Sequence, residues 1–464
     1  MAFFSNSFSS PTLFIFLEEL IGKLTEEPRL KRSLTVFPLV VIGLAYMDPL
    51  VVFDSYGIVA QLTKGHVAAA YIFTLLALLL TALSYGNMVK AFPKAGSAYT
   101  YAQKSIHPHV GFLVGWTLLL DYLFLPMVNF AIGSAYLTAA FPDVPHYIWI
   151  IILAIAITTV NVIGIRLTAN ITALFVTFQV IVAVTFVGFV IYGLTQNAGS
   201  GELLSARPFY SASLEPALIF SGATILCFSF LGFDAISTMS EETIKPKKTI
   251  PLAIFLTVAI GGVLFTLTSY FLQQVFPNFQ QFKHPDAASL EIAEFVGGAF
   301  LHSFFLAGTM VAVISSSLSS HASAARLLYA MGRDESLPKR FFGYIHPRLK
   351  TPVFNILLIG AFSLTAVVGE LEVIYSFISF GALIGFTFVN LSVFAYYFVR
   401  QKQRGVLNTL RYALIPLCGT AFCIWLLTSI STNALIIGML WLIIGFVYFC
   451  YRLKTRTEFT FGYD

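Results

Sequence analysis

The sequence predicts an all-α polytopic membrane protein of 12 transmembrane helices, on three observations: its composition, the spacing of its apolar runs and the placement of its positive charge. The 464 residues are 58% hydrophobic and only 11% charged. Soluble domains carry roughly 25% charged residues, so water is not the main solvent of this chain. Apolar stretches long enough to cross the roughly 30 Å hydrocarbon core recur along the whole length, for example 147–165, 171–194, 252–271 and 434–451.

The N-terminal tail, 1–33, is expected to be cytosolic. Its one apolar run, Leu13–Leu17, is short, is followed by Glu18 and Glu19, and precedes a basic segment, so it does not read as a cleavable signal peptide. Phe14–Lys23 reads instead as an amphipathic helix on the membrane surface. Spans are then expected at 34–62, 66–91, 108–140, 145–165 and 166–195, again at 214–240, 251–276, 297–328, 352–370 and 371–398, and finally at 411–431 and 432–453, before a cytosolic tail over 454–464. No loop is long enough for a soluble domain. Three connections carry structure of their own: a half-buried helix over Pro93–His107, an outer amphipathic helix over Pro285–Phe295 opened by Asp286, and a short basic turn over Glu241–Thr249.

With this topology all but Lys64, Arg207 and Lys283 of the 27 Lys and Arg fall on one side. That asymmetry follows the positive-inside rule and puts both termini in the cytosol. The net charge of +5 is therefore an orientation device and does not imply nucleic acid. Cys227, Cys418, Cys423 and Cys450 all fall inside spans, none at metal-ligand spacing, and read as packing or lipid-facing residues. Neither a metal nor a cofactor is expected.

The first and sixth spans differ from the rest. A straight helix over the first would be about 42 Å long, well beyond the hydrocarbon core. The interruption is written in Gly43-Leu-Ala-Tyr46-Met47-Asp48-Pro49, where Pro49 removes a backbone donor and disfavours helix at Asp48. The sixth span carries a matching irregularity in Phe228-Ser229-Phe230-Leu231-Gly232-Phe233-Asp234, centred on Gly232. Two interrupted helices five spans apart point to an inverted-repeat transporter with its site at the breaks.

Two long stretches then become recognisable. Ser240-Glu241-Glu242-Thr243 running on to Pro246-Lys247-Lys248-Thr249-Ile250-Pro251, and Ala322-Ser323-Ala324-Ala325-Arg326 running on to Gly332-Arg333-Asp334, His346-Pro347-Arg348 and Thr351-Pro352, resemble signatures of the amino acid–polyamine–organocation superfamily. The segments Gly43–Pro49, Phe53-Asp54, Phe92–Ser105, Leu120–Pro126 and Cys227–Asp234 are similar to its putrescine-importing members. The resemblance implies a LeuT-like five-plus-five inverted repeat over 34–195 and 214–398, two extra helices over 411–453, and alternating access. It also implies import of putrescine, driven by protons, across the cytoplasmic membrane. One departure is Asp48, since the putrescine-importing pattern has an uncharged residue before this proline.

The residues themselves indicate the sign of the ligand. Asp48, Asp54, Asp121 and Asp234 lie within predicted spans. An ionised Asp at mid-membrane costs about 2.5–3.5 kcal/mol, so each needs a partner, yet Lys and Arg are scarce at that depth. The missing positive charge is then the substrate, a proton, or both. The expected substrate-binding set is Tyr46, Asp48, Asp121, Tyr122, Phe228, Phe230 and Asp234, with the aromatics supplying cation–π faces and an apolar lining for a diamine's carbon chain. Gly43, Pro49 and Gly232 are the expected helix-break residues. An amino acid importer on the same fold is the competing reading, since half-helix ends would hold a zwitterion as well.

For coupling, the candidates are Asp54, Asp234, Gln179 and Ser316. Some proton-driven members of the superfamily carry Lys where Gln179 stands, so the resemblance implies that this particular route is absent. The run Ser315, Ser316, Ser317, Ser319, Ser320 offers oxygens for sodium, but small faces for close helix packing are the preferred reading. A membrane enzyme is disfavoured: the chain has no HExxH, nucleophile elbow or phosphate-cradling loop.

Overall fold

The computed structural model describes residues 34–93, 97–164, 169–212, 214–241, 243–333, 335, 337–349 and 351–455. The tail 1–33 with its expected surface helix at Phe14–Lys23, and residues 456–464, lie outside these. The described residues are helical throughout, apart from loops and one isolated β-bridge between Leu34 and Thr243. Among the described residues, ten helices are long and apolar enough to cross a membrane. To these are added a bent pair and a shorter apolar helix, so the chain is a multi-pass membrane protein.

The bent pair is α1 (Val36–Met47) and α2 (Val51–Leu62), which meet at 43° across Asp48-Pro49-Leu50. Then follow α3 (Val67–Ala91), the short α4 (Ser97–Ser105), α5 (Pro108–Ala140), α6 (His146–Ile163) and α7 (Ala169–Thr195). The helix α8 (Pro216–Leu226) does not continue as an α-helix: it tightens to 3₁₀ over Cys227–Phe230, breaks, and resumes as 3₁₀ over Asp234–Glu241. Beyond it lie α9 (Pro246–Val275), α10 (Ala288–Arg333), α11 (Val353–Ser363, with a 3₁₀ end to Val368), α12 (Leu371–Arg400), α13 (Val406–Thr428) and α14 (Thr432–Thr455).

Several boundaries differ from the sequence expectation, among them those of α13, expected over 411–431 and found over Val406–Thr428. The helix expected from residue 251 starts at Pro246, because a proline in the first turn has no intrahelical donor to lose, and Pro251 is then carried inside the helix. The span expected over 297–328 runs on to Arg333, and its start is marked by Gly298, at φ 60° and ψ −158°. That glycine separates the span from the preceding outer helix, which the sequence places at Pro285–Phe295 and which follows a 3₁₀ turn over Pro285–Ala287. The connection expected at Pro93–His107 contains α4, with Ala98, Tyr101 and Ala102 buried.

Burial sorts the helices into centre and rim. The most apolar windows of α5 and α12 are each 78% buried, whereas those of α6 and α14 are 17% and 22% buried, so the first two form the axis and the last two face outward. Exposed Ile148, Ile151, Ile152 and Ile155 on α6 form such an outward apolar face. Of the cysteines, Cys227 and Cys423 are buried in packing and Cys418 and Cys450 are exposed.

The rim helix α14 is tied to α5 by a reciprocal pair. Trp116 Nε1 donates to the Trp441 carbonyl at 3.0 Å and Trp441 Nε1 donates to the Trp116 carbonyl at 2.9 Å, with the rings stacked at 5.2 Å. Trp441→Phe is expected to lower stability by about 1 kcal/mol, since it removes one of the two hydrogen bonds between the helices, while the Trp116 carbonyl keeps its partner within α5. Thermal unfolding in detergent checks it, and substrate affinity should stay unchanged.

Candidate functional site

The first break is held by Asp48 itself. Its backbone is at φ 61°, a region a non-glycine residue adopts only when its neighbours compensate, and the compensation is local: Asp48 Oδ1 accepts from Leu50 N at 2.8 Å. The carboxylate therefore caps the start of α2 while remaining only 7% exposed. Pro49 follows in the turn and Gly43 lies one helical turn earlier, against Ile236 and Thr257.

The second break is held by Gly232, at φ +105°. A Cβ there would lie 1.9 Å from Cδ1 of Tyr46, so the two breaks touch each other through this glycine and this tyrosine. Asp234 follows directly, with its carboxylate facing the backbone amides of Gly232 and Ala235 and its own, next to Ser97 of α4. Its Oδ2 is buried without a partner.

Around these breaks the four aspartates form two groups. Asp121 on α5 lies within Coulombic reach of Asp234, with Tyr46, Tyr85 and Tyr122 about them. Close approach of α12 at this point depends on Gly381, where a Cβ would sit 3.0 Å from the Thr117 carbonyl and 3.3 Å from Asp121 N. The other group lies one turn along α2: Asp54 is close to Asp48 and to Tyr136 of α5, and the Tyr375 hydroxyl of α12 donates to the Asp54 carbonyl at 3.5 Å. Asp54 Oδ1 and the Tyr136 hydroxyl are both buried without a hydrogen-bond partner. All four carboxylates are 7% exposed or less, and among the described residues none is in an ion pair.

The aromatics divide similarly. Phe228 packs its ring 4.7 Å from Tyr375, beside the Asp54 group. Phe230 turns away to Phe265 and Tyr71, at 5.5 and 6.4 Å, and is fully buried in that cluster. Tyr46 is half-buried, with its hydroxyl toward Ser323 on α10. Thr238 is exposed and Met239 and Ser323 are half-buried, whereas α2 is wholly buried from Val51 to Ala60. The breaks therefore lie nearer the surface on the side where α1 begins and are packed in on the side of α2.

Of the candidate coupling residues, Gln179 on α7 is 1% exposed and neither its Nε2 nor its Oε1 has a partner. Ser316 on α10 accepts from Asn129 Nδ2 of α5 at 3.0 Å, so its hydroxyl serves a helix–helix contact. Sequence reasoning did not single out Tyr85, Tyr136 and Tyr375, which surround the carboxylates. Their only signal is a phenol inside an apolar span, and the chain holds 21 tyrosines.

Residues 39–457 match the family model for amino acid permeases. The chain is 44% identical over 427 residues to the low-affinity putrescine importer PlaP of Escherichia coli, covering 91% of this chain and 94% of that protein. It is 25% identical to the branched-chain amino acid permease BcaP of Bacillus subtilis, over 94% of this chain and 96% of BcaP. With human cationic amino acid transporter 4 the identity is 28%, over 82% of this chain and 62% of that protein.

Proposed function

The chain belongs to the amino acid permease family, and from that premise we propose that it is a secondary active transporter that imports putrescine or a closely related polyamine by alternating access. The observation that carries the reading is the set of four buried carboxylates at two helix breaks, with no Lys or Arg paired to them among the described residues. A dication supplies the missing charge, whereas a zwitterionic amino acid brings a carboxylate of its own into an already acidic site. The similarity to PlaP, named a putrescine importer, points the same way.

In this reading the ten long helices, the bent pair and the shorter helix are twelve crossings of the cytoplasmic membrane, with a five-plus-five repeat over 34–195 and 214–398 and two further helices over 411–453. Both termini are cytosolic, and the less buried side of the breaks faces the cytosol. Asp121 and Asp234 take one ammonium group, Tyr46 and Tyr122 provide cation–π faces, and Phe228 flanks the carbon chain. Asp48 and Asp54 serve the second ammonium or the coupling proton. No nucleic acid is involved.

Uptake of labelled putrescine by proteoliposomes tests the proposal. Unlabelled putrescine should compete, and branched-chain and basic amino acids at equal concentration should not. Failure of millimolar putrescine to bind or enter would end the polyamine reading in favour of an amino acid importer. For coupling, a protonophore is expected to stop accumulation against a gradient. Accumulation sustained by a sodium gradient alone would overturn proton coupling.

A further inference from the structure

Away from the breaks, a hollow of about 120 Å³ opens between α3, α9 and α13, lined by Leu83, Gly86, Asn87, Lys90, Pro251 and Arg411, and by no carboxylate. Lys90 ends α3, half-buried and within Coulombic reach of Arg411. Two cations that merely extended to the membrane surface would splay apart into water. Here Arg411 is held by a built frame beside Lys90. Arg411 Nε donates to Asn87 Oδ1 at 3.3 Å, and its guanidinium lies 5.4 Å from the Tyr412 ring. Tyr412 stacks on Tyr397 at 4.4 Å, and the Tyr397 hydroxyl donates to the Asn87 carbonyl at 3.0 Å.

The backbone is shaped for the same purpose. Tyr397 lies in a π-helical turn over Phe394–Arg400 and Arg411 in a second one over Leu410–Leu414. Such widened turns re-aim side chains and recur at functional sites. Gly86 admits α9 closely, since a Cβ there would already stand 3.0 Å from Pro251 Cβ.

We propose that this hollow binds the headgroup phosphate of an anionic phospholipid. Among the described residues neither cation has an acidic partner, and a phosphate can accept from the guanidinium's two Nη groups and from an ammonium together. The surroundings fit acyl chains rather than a free anion: Leu83 of the lining is 39% exposed, and Leu252, Leu410 and Leu414, next in the chain to the lining residues Pro251, Arg411 and Ile415, are 49%, 45% and 54% exposed. Basic pockets between transmembrane helices take acidic headgroups by this chemistry. The lipid would brace α13 against α3 and α9, away from the substrate carboxylates.

Native mass spectrometry of the full chain, exchanged from phosphatidylglycerol or phosphatidylcholine into the same detergent, tests this. The wild type should retain one phosphatidylglycerol at least tenfold more than phosphatidylcholine, and Lys90→Gln with Arg411→Gln should abolish the preference while putrescine binding persists. Equal retention of the two lipids by the wild type overturns the proposal, and that comparison needs no variant to fold. An undiminished preference in the double variant overturns it too. Inorganic phosphate that protects against thermal unfolding as well as phosphatidylglycerol does would assign the hollow to a free anion, which also overturns the lipid site.

Discussion

Asp121→Asn is expected to weaken putrescine binding by at least about 100-fold while leaving the chain folded and inserted. Asn keeps the volume of the side chain and removes only the charge, so an effect on affinity beyond an effect on unfolding temperature reports an ion pair with the ligand. The choice of Asp121 over its neighbours rests on what each carboxylate already does. Asp48 Oδ1 is taken by Leu50 N, and Asp234 faces the backbone amides of its own break. Asp121 is 4% exposed and has no hydrogen-bond donor on its carboxylate among the described residues, only the like charge of Asp234 nearby. Two like charges at low dielectric repel strongly, and a cation between them removes that cost. Equilibrium binding of labelled putrescine to purified protein checks the prediction, and retained affinity would move the ammonium site to the Asp48 and Asp54 group.

How far the sequence reveals this arrangement differs between its parts. The first break is visible because proline cannot donate and span length cannot exceed the membrane by so much, and both arguments are local to Gly43–Pro49. The second is visible through Gly232, where the structure has φ +105°. The separation of the four aspartates into two groups is not visible, because it depends on how α5 and α12 pack on the breaks. Tyr136 and Tyr375 reach Asp54 from helices distant in the chain, and no local pattern in either helix records that meeting. Ser316 reads first as a packing residue and second as an ion ligand, and its bond from Asn129 is recorded by no local pattern. The π-helical turns that aim Tyr397 and Arg411 likewise follow from the packing of α12 against α13 rather than from a local signal in the sequence.

Gly232→Ala is expected to abolish transport, and it tests whether the two breaks act as one device. The added methyl would stand 1.9 Å from Tyr46 Cδ1, far inside contact distance, and the φ of +105° is one that L-residues rarely adopt. Backbone strain of that kind costs about 1–3 kcal/mol, and the steric overlap adds to it. The ring of Tyr46 must therefore move or the break must open, and either displaces the face offered to the ammonium group. The two contributions separate in a double variant: Tyr46→Ala removes the ring atoms at 1.9 and 2.6 Å, leaving only its own Cβ at 2.8 Å together with the strain. If contact between the breaks dominates, Gly232→Ala in a Tyr46→Ala background should cost far less transport, relative to that background, than it costs in the wild type. If strain dominates, the loss should be the same in both backgrounds and should accompany a lower unfolding temperature. Wild-type uptake by Gly232→Ala itself would mean that the contact between Tyr46 and Gly232 is dispensable to every step of the cycle, and the site would then have to be sought on the Asp54 side of the break.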